Sequence, residues 1–375
     1  MKHHIVVGAG FGDEGKGLFT SYLVRELRAG LTVRFNGGCQ AAHNVITDDG
    51  LHHTFSHFGA GTFEGARTFW SRFCPVSPLA LEVEWKALAP KLTTARARSW
   101  SYILQVDPRC PVTTLWDIMA NRVRARETKH GTCATGFGAT IARHENTPHR
   151  LIALDLLTPE VLKWKLEQIA DYYEKRGVLA PEAVARRDVY VREFMRTVKR
   201  GSWRAAIERP EFVFERERNI VYEGAQGILL DQDHGFFPHV TRSSTTAKNA
   251  MALIDELPKK KHRRNRAVYY VSRSYHTRHG AGPMPCDPLK DPTVLERDEK
   301  NEHNGWQGDF RSGQLNMDLY RYALGVGDLY TAGCEINYVV TCCDQVAPDA
   351  FDRNFIPVAY KSFGPKTGDV RRYDR

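Results

Sequence analysis

Residues 5–17, IVVGAGFGDEGKG, constrain the fold more than any other stretch. Ile5, Val6 and Val7 form a short apolar run closed by Gly8. A glycine-rich loop follows, and from Lys16 onward Phe19, Leu23, Val24 and Leu27 recur at helical spacing. The pattern predicts a buried strand, a tight turn and a helix whose N-terminus faces a ligand. Backbone N–H groups at such a terminus, the helix dipole and one lysine suit a phosphate. Asp13 and Glu14 sit inside the same turn, where carboxylates repel an anion, so the loop also implies a bound cation or a proton to be moved. Taken alone, the loop is also compatible with an ordinary βα turn that needs its glycines for backbone geometry.

A chain of 375 residues can bury a large core, and 42% hydrophobic with 26% charged residues is ordinary for a soluble globular protein. No apolar run approaches the ~18 residues of a membrane span, and the N-terminus lacks a signal-peptide pattern, so a cytoplasmic protein with no membrane partner is expected. The eight cysteines are scattered without a CxxC pair, which predicts free thiols. A formal net charge of +9 fits either nucleic acid or polyanionic small substrates. The sharpest basic run, KKKHRRNR at 259–266, lies between Pro258 and the apolar AVYYV and reads as a solvated loop feeding a strand. No nucleic-acid motif accompanies it, so nucleic-acid binding is not expected.

Leu31 to Phe35 reads as a second strand, expected beside the first, ending in the polar loop Asn36–Asn44 where open α/β sheets place ligands. His43 in that loop is a candidate acid or base. Residues 51–75 read as irregular packing over the site, and Pro78–Leu88 as a helix. The loop Lys129–Arg143, with Thr132, Thr135 and Thr140 around Gly131, Gly136 and Gly138, suits either a second phosphate or a lid. Thr158–Arg176 is the clearest helix: Thr158 caps it, Pro159 opens it, and Leu162, Leu166, Ile169 and Tyr173 share a face. Residues 178–218 read as a charged, helical, peripheral layer.

Ile220–Tyr222 is a further strand, followed by Glu223-Gly224-Ala225-Gln226-Gly227. Five Ser/Thr residues within 241–246 suggest an anion or sugar site. Ala267–Val271 is another strand, after which Arg273 and Arg278 are suited to a carboxylate or phosphate. Asn301–Gly313 is a polar loop carrying Arg311, and Asn337–Val340 leads into Thr341-Cys342-Cys343-Asp344. With no repeat and no linker, the chain is expected to form one α/β domain over 1–375. Its central sheet is expected to be mostly parallel, with helices on both faces and ligand loops at the strands' C-terminal ends.

In order, and over nearly the whole chain, these motifs resemble the adenylosuccinate synthetase family. GDEGKG matches Gly12–Gly17, QGGxNAGH matches Asn36–His43 in altered form, and a threonine-glycine loop matches Thr135-Gly136. EGAQGxLLD matches Glu223–Asp231, VTSSNTTA matches Val240–Ala247, and TTRVGAGPFP matches Thr277–Pro285. The family phosphorylates the 6-oxygen of a purine nucleotide, and L-aspartate then displaces that phosphate. The resemblance implies that Asp13 removes the N1 proton and, with Ala42, ligates Mg²⁺. It implies that His43 is the acid at the transferred phosphoryl group, and that Lys16 stabilises charge beside Gly12, Glu14, Gly15 and Gly17. Asp344, Gly364 and Pro365 would complete the phosphate-donor site. Gln40, Thr135, Gly136, Gln226, Leu230, Val240 and Thr241 would bind the nucleotide, and Gln307, Gly308 and Arg311 the aspartate. Arg143 matches an arginine that the family donates across a homodimer interface.

The departures point to one branch of that family. The chain is shorter than the usual bacterial members. Thr341-Cys342-Cys343-Asp344 replaces a TKxD element that binds guanine of GTP, Gln40 and Ala42 replace asparagine and glycine, and NGWQGDFRSG replaces a TTGRRRR run. These changes resemble the viral branch, which joins aspartate to dGMP using ATP or dATP; some members of that branch carry serine in place of the loop aspartate, whereas this chain keeps Asp13. The expectation is therefore a ligase acting on dGMP. An IMP- and GTP-dependent enzyme is the alternative, and a non-catalytic nucleotide- or nucleic-acid-binding protein the alternative of another class. Retention of Asp13, Lys16, His43 and Gln226 together argues against the last.

Overall fold

The computed structural model describes residues 1–128, 132–290, 306 and 308–373. Gln307 lies outside them, as do parts of the loops expected at 129–143 and 301–313. The strands are β1 (Lys2–Gly8), β2 (Leu31–Arg34), β3 (His43–Ile46), β4 (His52–Phe55), β5 (Arg67–Trp70), β6 (Leu104–Val106), β7 (Asn219–Gly227), β8 (Arg266–Arg273), β9 (Tyr275–His279), β10 (Phe310–Gln314), β11 (Glu335–Thr341), β12 (Val358–Ser362) and β13 (Val370–Arg372). Nine of them form one sheet in the order β13-β12-β11-β8-β1-β7-β2-β5-β6. Its pairings are parallel except β12–β13.

Both faces of the central strands are covered, which is why their sequences are apolar runs rather than alternations. Ile5, Val7, Tyr222 and Val268 pack with Leu253, Ile254, Tyr320 and Ala323 of the helices Lys248–Asp255 and Met317–Asp328. Val6, Val221 and Val271 pack on the other face with Phe19 and Leu23 of the helix Lys16–Leu27. A separate core around β6 gathers Leu162, Leu166, Ile169 and Tyr173 with Val191, Phe194, Val198 and Trp203. The layer at 178–218 is therefore peripheral only on its charged side.

Several expectations need correction. β2 does not adjoin β1, because β7 lies between them and pairs with both. Residues 51–75 are not irregular covering: they supply β4 and the sheet strand β5, and Phe55, Phe58, Phe69 and Trp70 are fully buried. The buried Glu84 carboxylate holds this segment by accepting from the backbone N–H groups of Ser56 and His57. Thr158 stands at the N-cap of the helix Pro159–Lys175, but its side chain makes no capping bond. The basic run behaves as expected, forming a short helical turn before β8 and pairing Lys259 with Glu215 and Arg266 with Asp255. All eight cysteines are free.

Burial lowers His3, His4 and His144 from 6.5 to about 4. The unfolded chain therefore binds more protons than the native one between those values, so stability is full above about pH 6.5 and falls as pH drops toward 4. Thermal melts at pH 7.5 and 5 should show this loss, and His3→Gln should make it shallower.

Candidate functional site

At the end of β1 the chain turns through Gly12 (φ 94°), Asp13 (φ 59°) and Gly15 (φ 84°) before the helix Lys16–Leu27 begins. A Cβ at Gly15 would lie 3.0 Å from Thr341 Cγ2, so both its left-handed backbone and its close approach to β11 require glycine. Inside the turn, Glu14 is buried and accepts from the N–H groups of Gly10 (3.0 Å) and Gly12 (2.8 Å). Its other oxygen pairs with the buried ammonium of Lys16. The loop thus holds an internal carboxylate on N–H groups expected to face a phosphate, and Gly227 allows it: a Cβ there would lie 2.2 Å from Glu14 Oε1. Asp13 points differently; its side chain is 39% exposed and lines a cleft of about 1090 Å³.

His43 enters the same cleft from the start of β3. Its Nδ1 lies 2.5 Å from Glu223 Oε1, and Glu223 also accepts from Ala60 N–H at 2.9 Å. The buried Arg34 guanidinium stands 4.0 Å from the same carboxylate and donates to the carbonyl of Ala41 at 2.8 Å, fixing the Ala41–His43 backbone. Burial would raise the Glu223 carboxyl, but Arg34, then His43 and the Ala60 N–H, hold it below the usual carboxylate range. Burial lowers His43 against the opposing pull of Glu223. A carboxylate can only accept, so Nδ1 of His43 carries the hydrogen and Nε2 is the atom left to act. Sequence reasoning assigns no role to Glu223; its place at a strand end, between an apolar run and Gly224, is the available signal.

Gln40, Thr135, Gln226, Leu230, Val240 and Thr241 line the cleft with Asp13, Lys16, Ala42 and His43. The amide atoms of Gln40 are buried without a partner among the described residues, as expected of a group that meets a polar ligand. Thr135 and Gly136 precede the helix Phe137–Asn146, whose N-terminus suits an anion. Gly17 lies in the first turn of the opening helix, against His43. Asp344, Gly364 and Pro365 lie outside the cleft lining, in the loops after β11 and β12. Thr341, at the end of β11, donates to the carbonyl of Glu14 at 2.8 Å, so those loops adjoin the glycine turn.

Three groups have polar atoms engaged within the chain itself. Arg143 is buried, bonded to Asp117 and to the carbonyls of His149 and Val112, and so braces the helix Phe137–Asn146 from inside while also lining the cleft. Arg311 donates to the carbonyls of Gly280 (2.6 Å) and Gly282 (2.8 Å), and Gly308 precedes it with φ 82°. The hydroxyl cluster turns mostly inward: Thr245 bonds Gly227 and Asp231, Ser243 accepts from Gly37, and Ser244 pairs with Thr246. Of the two arginines after β8, Arg273 donates to the Asp13 carbonyl, and Arg278 donates to Pro283 and His239 while lining the cleft.

No cluster of three or more His, Cys, Asp or Glu that could hold a metal occurs among the described residues. Mg²⁺ needs no such cage, since it binds through one or two protein oxygens together with substrate phosphates and water. The exposed Asp13 carboxylate and the Ala42 carbonyl, both in the cleft lining, fit that requirement.

A parallel sheet with a glycine turn, an acid and a carboxylate-held histidine around one cleft defines a nucleotide-handling α/β enzyme. A family model described as adenylosuccinate synthetase matches residues 5–366, and the chain belongs to that family of carbon–nitrogen ligases. It is 27% identical to the adenylosuccinate synthetase of Thermoplasma acidophilum, over 86% of this chain and 73% of that one. It is 31% identical to that of Acaryochloris marina, over 98% of this chain and 80% of the relative. The match to the Marinomonas enzyme, at 30% identity, spans 65% of that relative's length. Among solved structures, fully ligated adenylosuccinate synthetase from Plasmodium falciparum superposes with a TM-score of 0.79 at 17% identity, covering 99% of both chains. Succinoaminodeoxyadenylate synthetase of cyanophage S-2L, bound to dGMP and dATP, superposes with a TM-score of 0.67 at 18% identity, covering 100% of this chain and 96% of that one.

The His43–Glu223 pair makes a direct prediction. Glu223→Gln should lower kcat by roughly a hundredfold while KM for the nucleotide changes little, measured by phosphate release on protein whose melt shows it folded.

Proposed function

We propose that this protein joins L-aspartate to C6 of dGMP with ATP or dATP as phosphate donor, giving N6-succino-2-amino-2′-deoxyadenylate. The observation that carries the reaction class is that Asp13 and the Glu223-held His43 line one cleft with Lys16. Asp13 takes the N1 proton of the purine, and the 6-oxygen so activated attacks the terminal phosphorus of the donor. To act as the acid, His43 must carry a hydrogen on both nitrogens; the Glu223 carboxylate at Nδ1 and the incoming phosphate charge favour that cation, which then donates through Nε2 to the transferred phosphoryl group, while Lys16 and the helix N-terminus offset its charge. Bound Mg²⁺ would neutralise phosphate charge beside Asp13 and Ala42. The aspartate amine then forms the C6–N bond as the C6–O bond breaks and phosphate leaves.

The choice of dGMP and an adenine donor is supported by the sequence around the cleft. Cys342 and Cys343 leave no lysine stem to cover a guanine at the end of β11, and Gln40 and Ala42 alter the nucleotide loop. A second reading, IMP with GTP, is favoured by the retained Asp13 and by the names of the curated relatives. A homodimer is part of the proposal by resemblance, with Arg143 the residue matched to the arginine donated across its interface.

Phosphate release with aspartate and Mg²⁺, crossing dGMP, GMP and IMP with ATP, dATP and GTP, tests both readings. Turnover of dGMP with ATP or dATP is expected; turnover of IMP with GTP but not of dGMP would reverse the choice. Asp13→Ala and His43→Ala should each lower turnover by at least about a hundredfold with little change in melting temperature.

A further inference from the structure

Residue 13 is held from two directions by the antiparallel β9–β10 pair and the strand end before it. Arg273, at the end of β8, donates Nε–H to the Asp13 carbonyl at 2.6 Å. His279, at the end of β9, places Nε2 3.4 Å from Asp13 Oδ2. Phe310, the first residue of β10, backs both: its ring lies 4.8 Å from that of His279 and 5.9 Å from the Arg273 guanidinium carbon. His279 pairs with Phe310 in the antiparallel β9–β10 register, and both Asp13 and His279 line the cleft.

We propose that His279 is a positioning residue for Asp13: it fixes the carboxylate through Oδ2 and so leaves the other oxygen to accept the purine N1 proton. An ionised carboxylate offers only acceptors, so the nitrogen facing it carries hydrogen in the neutral tautomer and in the cation alike. The anchoring therefore does not depend on the charge of the ring. It matters because Asp13 is 39% exposed and sits at φ 59°, on a turn rather than within a helix or strand. A carboxylate free to sample several rotamers spends part of its time out of line for proton abstraction, which lowers kcat without weakening nucleotide binding. β10 also carries Arg311 next to Phe310, so the anchor ties the base to the strand expected to meet L-aspartate.

The role rests on Asp13 acting as the base, and two readouts separate its failure from the failure of that reading. In steady-state phosphate release, His279→Val should lower kcat by about tenfold to a hundredfold with KM for the nucleotide within about twofold, and His279→Asn, which keeps a donor, should recover most of the loss. In crystals of the unliganded protein, the Asp13 carboxylate should hold one position in the parent and in His279→Asn, and several in His279→Val. Unchanged kcat in His279→Val, equal impairment of the valine and asparagine variants, or an Asp13 carboxylate equally ordered in all three proteins would overturn the proposal. Absence of turnover in the parent on any purine nucleotide, with the carboxylate still ordered by His279, would instead reject the assigned reaction and leave the anchor standing.

Discussion

The buried carboxylate of Glu223 is the constraint around which the cleft is assembled. It ends the apolar part of β7, in the middle of the sheet, and cannot stay charged there without partners. Arg34 from β2, His43 from β3 and the Ala60 N–H from the segment before β5 supply them. Each partner comes from a different part of the first 60 residues, so neutralising one charge fixes three backbone segments at once. All three meet the one carboxylate, so the position of His43 is tied to the order of the strands as well as to its own loop.

That order also explains what the sequence could and could not disclose. The loop motifs were legible because each is a run of consecutive residues at a strand's end, where chemistry and turn formation demand the same small and polar side chains. Residues 5–17 already contain the strand, the turn and the helix seen at β1 and Lys16–Leu27. The pairing of His43 with Glu223 was not legible, because it depends on β7 inserting between β1 and β2 across 180 residues of chain. Nothing in periodicity distinguishes that insertion from the simpler neighbouring of consecutive strands.

Direction was harder to read than position. Arg143 and the Ser/Thr group at 243–246 stand where polar residues near a nucleotide were expected, yet their hydrogen bonds run inward to Asp117, Asp231 and main-chain carbonyls. A motif match gives the register of a residue but not which side of its backbone the side chain takes. The segment 51–75 misleads for a related reason: its glycines and histidines resemble a loop, whereas the aromatics between them fill the core.

The Glu14–Lys16 pair has a consequence for what can enter the glycine turn. Two of its N–H groups and its ammonium are already occupied by a carboxylate of the chain itself. A phosphate arriving there does not fill empty space; it competes with a tethered anion that is always present. Its affinity is the difference between two similar interactions, so a small lone anion gains little by displacing Glu14. A ligand that is also anchored elsewhere in the cleft brings its phosphates in at high local concentration and can win the exchange. What the turn offers a phosphate is therefore an exchange of one anion for another, with Glu14 the group that has to give way.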